Sequence, residues 1–173
     1  AIFARGLKTN LVGTREGVYP QVMDPDTGLR VSAGETWRGG GFDDAHQQFF
    51  TGGRKYRVPG FLATSARQAV TNNFMFRAEA AGFRVVQWRF VFDPEGDPRG
   101  SNVQARRCKH VNLLREPHVA GEDEYLFQAY SVFTVASADF STAGTAADPY
   151  LITLTPAIDN ALEPEGLPLA PWS

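Results

Sequence analysis

Three short stretches of this chain hold side chains suited to chemistry. The first is Gly121-Glu122-Asp123-Glu124-Tyr125-Leu126-Phe127. On a strand, alternate side chains share a face, so Glu122 and Glu124 point the same way, roughly 7 Å apart. Two carboxylates so placed repel each other, and glutamate is a poor strand former, so the pair costs the fold something. Taken alone, it reads more simply as a solvated acidic loop that precedes a strand. The second stretch is Trp37-Arg38 followed by Gly39, Gly40 and Gly41. A guanidinium offers a fork of donors that suits a diphosphate, and bare glycine backbone lets a ligand approach the main chain. The plain alternative is a surface arginine before a flexible turn. The third, Gly60-Phe61-Leu62-Ala63-Thr64-Ser65, is a strand that ends in small hydroxyl residues and opens a helix.

These residues need elements to position them. Thr36-Trp37-Arg38 reads as a short strand that stops at the glycines. Asp43 and Asp44 sit where a helix start favours negative charge, Ala45–Phe50 continues helically, and Gly52-Gly53 ends the helix. Val58–Ser65 is a turn and then a strand, and Ser65 caps a helix over 67–81 that Gly82 stops. Phe83–Phe92 is the clearest strand, β-branched and aromatic, closed by Asp93-Pro94-Glu95-Gly96. Val111–Leu114 and Tyr150–Thr155 are further strands, and Glu122–Val135 is a long β-rich stretch. Nearer the start, Asp24–Gly28 is a turn between Tyr19–Met23 and Leu29–Val31. From Glu163 onward prolines and glycine break any periodicity, and Leu167, Leu169 and Trp172 are expected to pin this tail across the surface. Mostly strands, with one or two helices in the first half, argues for an α+β fold with a largely antiparallel, twisted sheet.

In this order the three stretches resemble the arginine–serine–glutamate class of mono-ADP-ribosyltransferases, which includes binary-toxin catalytic subunits and vertebrate arginine-specific transferases. The family pattern is an aromatic-Arg-Gly strand, a Phe-x-Ser-Thr-Ser strand and a Glu-x-Glu pair opening a later strand. Here these are Trp37-Arg38-Gly39, Phe61-Leu62-Ala63-Thr64-Ser65 and Glu122-Asp123-Glu124, the last running on to Phe133-Thr134-Val135. The resemblance covers residues 36–155. It implies two small twisted sheets packed crosswise around a cleft for NAD, which is a co-substrate, with no metal. Arg38 and Arg77 would hold the phosphates. The Gly39 backbone would bond the nicotinamide amide, and Phe74 would pack near the ring, with ordinary core packing as its alternative. Phe74 and Arg77, three residues apart, share one face of a helix. Thr64 and Ser65 would support the site, Glu124 would be the catalytic glutamate, and Glu122 would engage an arginine of the acceptor protein, the enzyme itself included. Two positions depart from the pattern. Ala63 replaces the serine that orients the glutamate, and Val119, beside His118, stands where an aromatic is usual.

Composition narrows the field. At 173 residues with 43% hydrophobic content the chain suits one domain over 1–173, with a core over 36–155 and a tail over 156–173. A net charge of -2 gives no bulk attraction to nucleic acid or to an acidic membrane. Cys108 is the single cysteine, and His46, His110 and His118 are scattered, so neither a disulfide nor a metal site is expected. No apolar run reaches a membrane span. The start lacks a signal-peptide layout, so a trimmed or processed chain is expected, compatible with cytoplasmic or host-cytoplasmic action, and a monomer is expected. Neither a dinucleotide-binding Gly-x-Gly-x-x-Gly, nor a Gly-x4-Gly-Lys loop, nor a Gly-x-Ser-x-Gly turn is present. The readings left open are an arginine-directed transferase, an NAD glycohydrolase with water as acceptor, a catalytically silent binding module of the same fold, and an unrelated antiparallel domain.

Overall fold

The computed structural model describes residues 35–92, 108, 111–113, 124–140 and 142–172. The elements expected at 19–31, the turn at 93–96, Leu114, His110, His118, Val119 and Glu122 lie outside the described residues. Among these residues eight strands alternate with little helix: β1 Glu35–Phe42, β2 Lys55–Val58, β3 Leu62–Ser65, β4 Arg84–Val91, β5 Val111–Leu113, β6 Glu124–Phe127, β7 Ser131–Asp139 and β8 Tyr150–Pro156. Among the described residues there is one α-helix, α1 (Thr71–Ala80), which follows β3, and short 3-10 helices cover Asp44–Phe49, Gln68–Val70 and Asn160–Leu162.

The fold is α+β, and its strands form one mixed sheet in the order β2-β7-β8-β4-β1-β3-β6-β5. Pairing is antiparallel throughout except between β4 and β8. The two groups of strands expected from the sequence are therefore continuous, but their junction is narrow. β1 pairs with β4 along its whole length, from Glu35↔Val91 to Phe42↔Arg84, and with β3 only at Trp37↔Ser65.

The sheet curls into a half-barrel. β7 and β6 stand five places apart in the strand order, which a flat sheet would make about 24 Å. Yet the rings of Phe127 on β6 and Phe133 on β7 lie 5.1 Å apart, and Phe90 on β4 touches both, at 5.6 and 5.3 Å. These three rings, all but fully buried, close the concave face. Burial of each contributes about 2–3 kcal/mol. β8 shows why its sequence becomes a strand: Tyr150, Ile152, Leu154 and Pro156 are buried in strict alternation.

Several sequence expectations are corrected. β1 does not stop at Gly39 but runs through all three glycines to Phe42. Helix α1 lies against its outer face, where a Cβ on Gly39 would strike the Thr71 carbonyl and Met75, and one on Gly41 would come within 2.7 Å of Phe83 and 2.9 Å of Ala78. The glycines thus permit close helix–sheet packing rather than ending the strand. The helix begins later than expected: Ser65 Oγ accepts from Arg67 N at 2.9 Å, a 3-10 turn follows, and α1 starts at Thr71. The segment after Asp43, whose carboxylate accepts from Ala45 N, is 3-10 rather than α. The stretch 122–135 breaks at a turn through Tyr130, which adopts φ 63°, and the strands on either side serve opposite halves of the sheet. The tail is pinned, as expected, through Trp172, but Leu169 stays 48% exposed and backbone bonds on either side of it do the rest. Pro168 and Ala170 bond the Arg57 backbone, and Trp172 stacks on Phe50 at 5.9 Å.

Candidate active site

Three strands meet where the half-sheets join. On the face that carries α1, the register aligns Trp37 of β1 with Ser65 of β3, and Ser65 with Glu124 of β6. Directly opposed residues on antiparallel strands have Cβ atoms about 5 Å apart, so Ser65 and Glu124 are immediate neighbours. Ala63 sits opposite Leu126 instead. The hydroxyl absent at Ala63 therefore leaves Glu124 with Ser65 as its cross-strand neighbour. Thr64, turned to the concave face, donates through Oγ1 to the Tyr125 carbonyl at 3.1 Å and ties β3 to β6 next to Glu124.

Arg38 reaches into the gap left by the single β1–β3 contact, and its guanidinium donates to the Ala63 carbonyl at 2.8 Å. The side chain keeps solvent access along part of its length, yet burial pulls its pKa below the ordinary value while the negative charge of Glu124 pulls it partly back. The two groups are thus electrostatic partners, and the arginine stays a cation. Among the described residues none pairs with β1 on the β3 side beyond Trp37, so toward them Gly39–Phe42 present an unpaired backbone edge.

The helix completes the wall. Arg77 Cζ lies 5.9 Å from the Phe74 ring centroid, the pairing expected from i, i+3 spacing. Phe74 is 48% exposed, so it is not ordinary core packing. A buried network fixes α1 to the sheet: Gln87 Nε2 donates to Thr71 Oγ1 at 2.8 Å, Thr71 Oγ1 to the Gln68 carbonyl at 2.7 Å, and Gln68 Nε2 to Gln87 Oε1 at 2.9 Å.

Two hollows adjoin here. The smaller, about 190 Å³, brings together Arg38, Gly39, Ala63, Thr64, Ser65, Phe74 and Glu124, with Trp37 and Thr71 added. The larger, about 430 Å³, contains Arg77 and shares Arg38, Gly39 and Phe74 with the first, so the two form one elongated cleft. Every described residue named for the site from the sequence lies on this cleft. The sequence reading missed Trp37 and Thr71 as lining. Thr71 is one turn before Phe74 and was findable by spacing. Trp88, Tyr56 and Trp172 on the larger hollow come from distant elements and carry no local signal. Among the described residues no cluster of three His, Cys, Asp or Glu could hold a metal, and no helix is long and apolar enough to cross a membrane.

Neither a family model nor a curated protein matches the chain. Its structural neighbours are bacterial ADP-ribosyltransferases. The Vis toxin, an ADP-ribosyltransferase from Vibrio splendidus, is 16% identical at a TM-score of 0.47, covering 71% of this chain and 48% of that one. The ADP-ribosyltransferase HopU1 of Pseudomonas syringae is 17% identical at 0.44, covering 71% and 44%. The catalytic domain of VahC from Aeromonas hydrophila is 17% identical at 0.45, covering 90% and 69%. Vis has also been solved with agmatine, in a structure 15% identical to this chain. The chain spans about half the length of Vis.

Proposed function

We propose that this chain is a mono-ADP-ribosyltransferase that cleaves NAD between nicotinamide and ribose and passes ADP-ribose to a protein arginine. The observation that carries the proposal is the convergence of residues 38, 65 and 124, distant in sequence, on one hollow. Breaking the nicotinamide–ribose bond sends its electron pair out with nicotinamide and leaves positive charge on the sugar, the problem glycosidases solve with carboxylates. Glu124, fixed beside Ser65, would stabilise that charge as it forms. Arg38 and Arg77 would grip the diphosphate so that the cationic sugar stays in place, and the open Gly39 backbone would bond the nicotinamide amide. An acceptor guanidinium is protonated in water and a poor nucleophile. As its nitrogen bonds to the sugar carbon it must lose a proton, and Glu122 would take it.

The test is nicotinamide release and arginine labelling from NAD. Glu124→Gln should lower both by about 100-fold or more while NAD still binds. Glu122→Gln should suppress arginine modification and spare hydrolysis. No release by the wild-type protein, or equal activity in Glu124→Gln, would overturn the proposal.

A further inference from the structure

The cleavage chemistry makes no demand on Trp37, yet its half-buried indole lines the hollow that holds Ser65 and Glu124. The sheet fixes where the two faces of the ring lie. β1 runs between β4 and β3. On β4, Arg89 stands opposite Trp37, and its guanidinium carbon lies over the ring, 5.6 Å from the centroid. On β3, Ser65 stands opposite Trp37 from the other side, and Glu124 on β6 stands opposite Ser65. A ring covered from the β4 side turns its second face toward Ser65 and Glu124. Trp37 and Glu124 are two strand spacings apart, roughly 10 Å, with Ser65 between them. That leaves room above Ser65 for one flat group between an indole face and a carboxylate.

Those two walls select a cation. An indole face attracts positive charge through its ring quadrupole, more strongly than the other aromatic side chains do. Arg89 shows this on the face toward β4, where a guanidinium already sits. Arg89 Nε donates to Glu35 Oε2 at 2.6 Å. This ion pair offsets the charge of Arg89, so a second cation on the opposite face meets little repulsion. On the far side, the Glu124 carboxylate supplies counter-charge and can accept from a planar fork of N–H donors. A guanidinium meets both walls together, because it stacks through its face and donates in its plane.

We propose that Trp37 is an acceptor-binding residue, whose indole face turned to Glu124 stacks the arginine guanidinium that receives ADP-ribose. This rests on the transferase reading above and adds to it a determinant of acceptor specificity on β1, apart from the carboxylate pair.

Steady-state kinetics of the full chain with agmatine, a free guanidinium, separate acceptor binding from NAD cleavage. Trp37→Leu should raise KM for agmatine about tenfold. It should leave kcat at saturating agmatine, KM for NAD and nicotinamide release into water unchanged. Trp37→Phe keeps a weaker aromatic face and most of the packing, and should raise the agmatine KM only about threefold. If thermal melting shows that Trp37→Leu does not fold, Trp37→Phe carries the same test. An agmatine KM unchanged in every folded variant, with hydrolysis intact, would mean that the ring does not read the acceptor, and the transferase reading would stand. A KM for NAD that rises together with that for agmatine would assign the ring to the dinucleotide and overturn the proposal. If the wild type releases no nicotinamide with or without agmatine, the transferase reading falls and takes this assignment with it.

Discussion

Adding one methyl group at Gly39 tests the packing that sets the cleft. The Cβ of Gly39→Ala would lie 2.8 Å from Met75 Cγ and 3.0 Å from Thr71 Cβ, and closer still to the Thr71 carbonyl oxygen. Carbon atoms rest at about 3.5–4.0 Å, so roughly 0.7 Å must be found. Met75 can rotate, but the Thr71 carbonyl is backbone and moves only with the helix. Thr71 is held by Gln87 and Gln68, so a shift of α1 also strains that network. Overpacking costs about 1–3 kcal/mol and a lost buried hydrogen bond about 1 more, which gives about 2–4 kcal/mol. Urea denaturation should show a lower midpoint with an unchanged slope. Because α1 carries Phe74 and Arg77, KM for NAD should rise as well. Gly60→Ala is the control, since nothing lies within 4 Å of its added Cβ, and it should stay within about 0.5 kcal/mol of wild type. If Gly39→Ala proves as stable as Gly60→Ala and as active, the close packing of helix on strand does not position the site.

Other outcomes follow from the same geometry. Arg38→Lys keeps the charge but loses the fork that bonds the Ala63 carbonyl, and ADP-ribose affinity measured by calorimetry should fall about tenfold or more. Asp44 is desolvated, which raises its pKa, but bonds from Arg84 and Gln47 outweigh this and hold it below its ordinary value of 3.8. Its stabilisation is therefore present above that value and lost as pH falls through the lower folded value. Asp44→Asn should lower the melting temperature slightly near pH 7 and flatten the acid limb below about pH 4. Arg57 donates to the carbonyls of Tyr130, Glu163 and Pro164, so Arg57→Met should loosen the tail, visible as a red shift in tryptophan emission as Trp172 leaves Phe50.

The strands that carry their own signal were legible from the sequence. β4 is a continuous β-branched and aromatic run, and β8 alternates cleanly, so both were placed within a residue or two. The three motif segments were legible because residue type and order mark them. β2 was missed. Lys55–Val58 is four residues long, and Tyr56 is buried by β7 and the tail, which lie more than 70 residues away in the chain. The glycines of β1 misled for a related reason. Locally they signal a break, but a full ladder with β4 and a helix packed on their bare face override that signal. The parallel β4–β8 pairing and the curl of the sheet depend on contacts among Phe90, Phe127 and Phe133 that no local window contains. For the same reason Trp88 and Tyr56 could not be tied to the cleft beforehand.

The single register pair between β1 and β3 has an implication for chemical intervention. The two halves are stitched there by one register pair and the Arg38–Ala63 hydrogen bond, and across the concave face by aromatic rings, so the stitch is the weak place. A small molecule that wedged between Trp37 and Ser65 would need no phosphate, sugar or base of its own. By prying the rung open it would part Arg38 from Glu124, and so test the proposed cleavage of NAD, without imitating dinucleotide or acceptor.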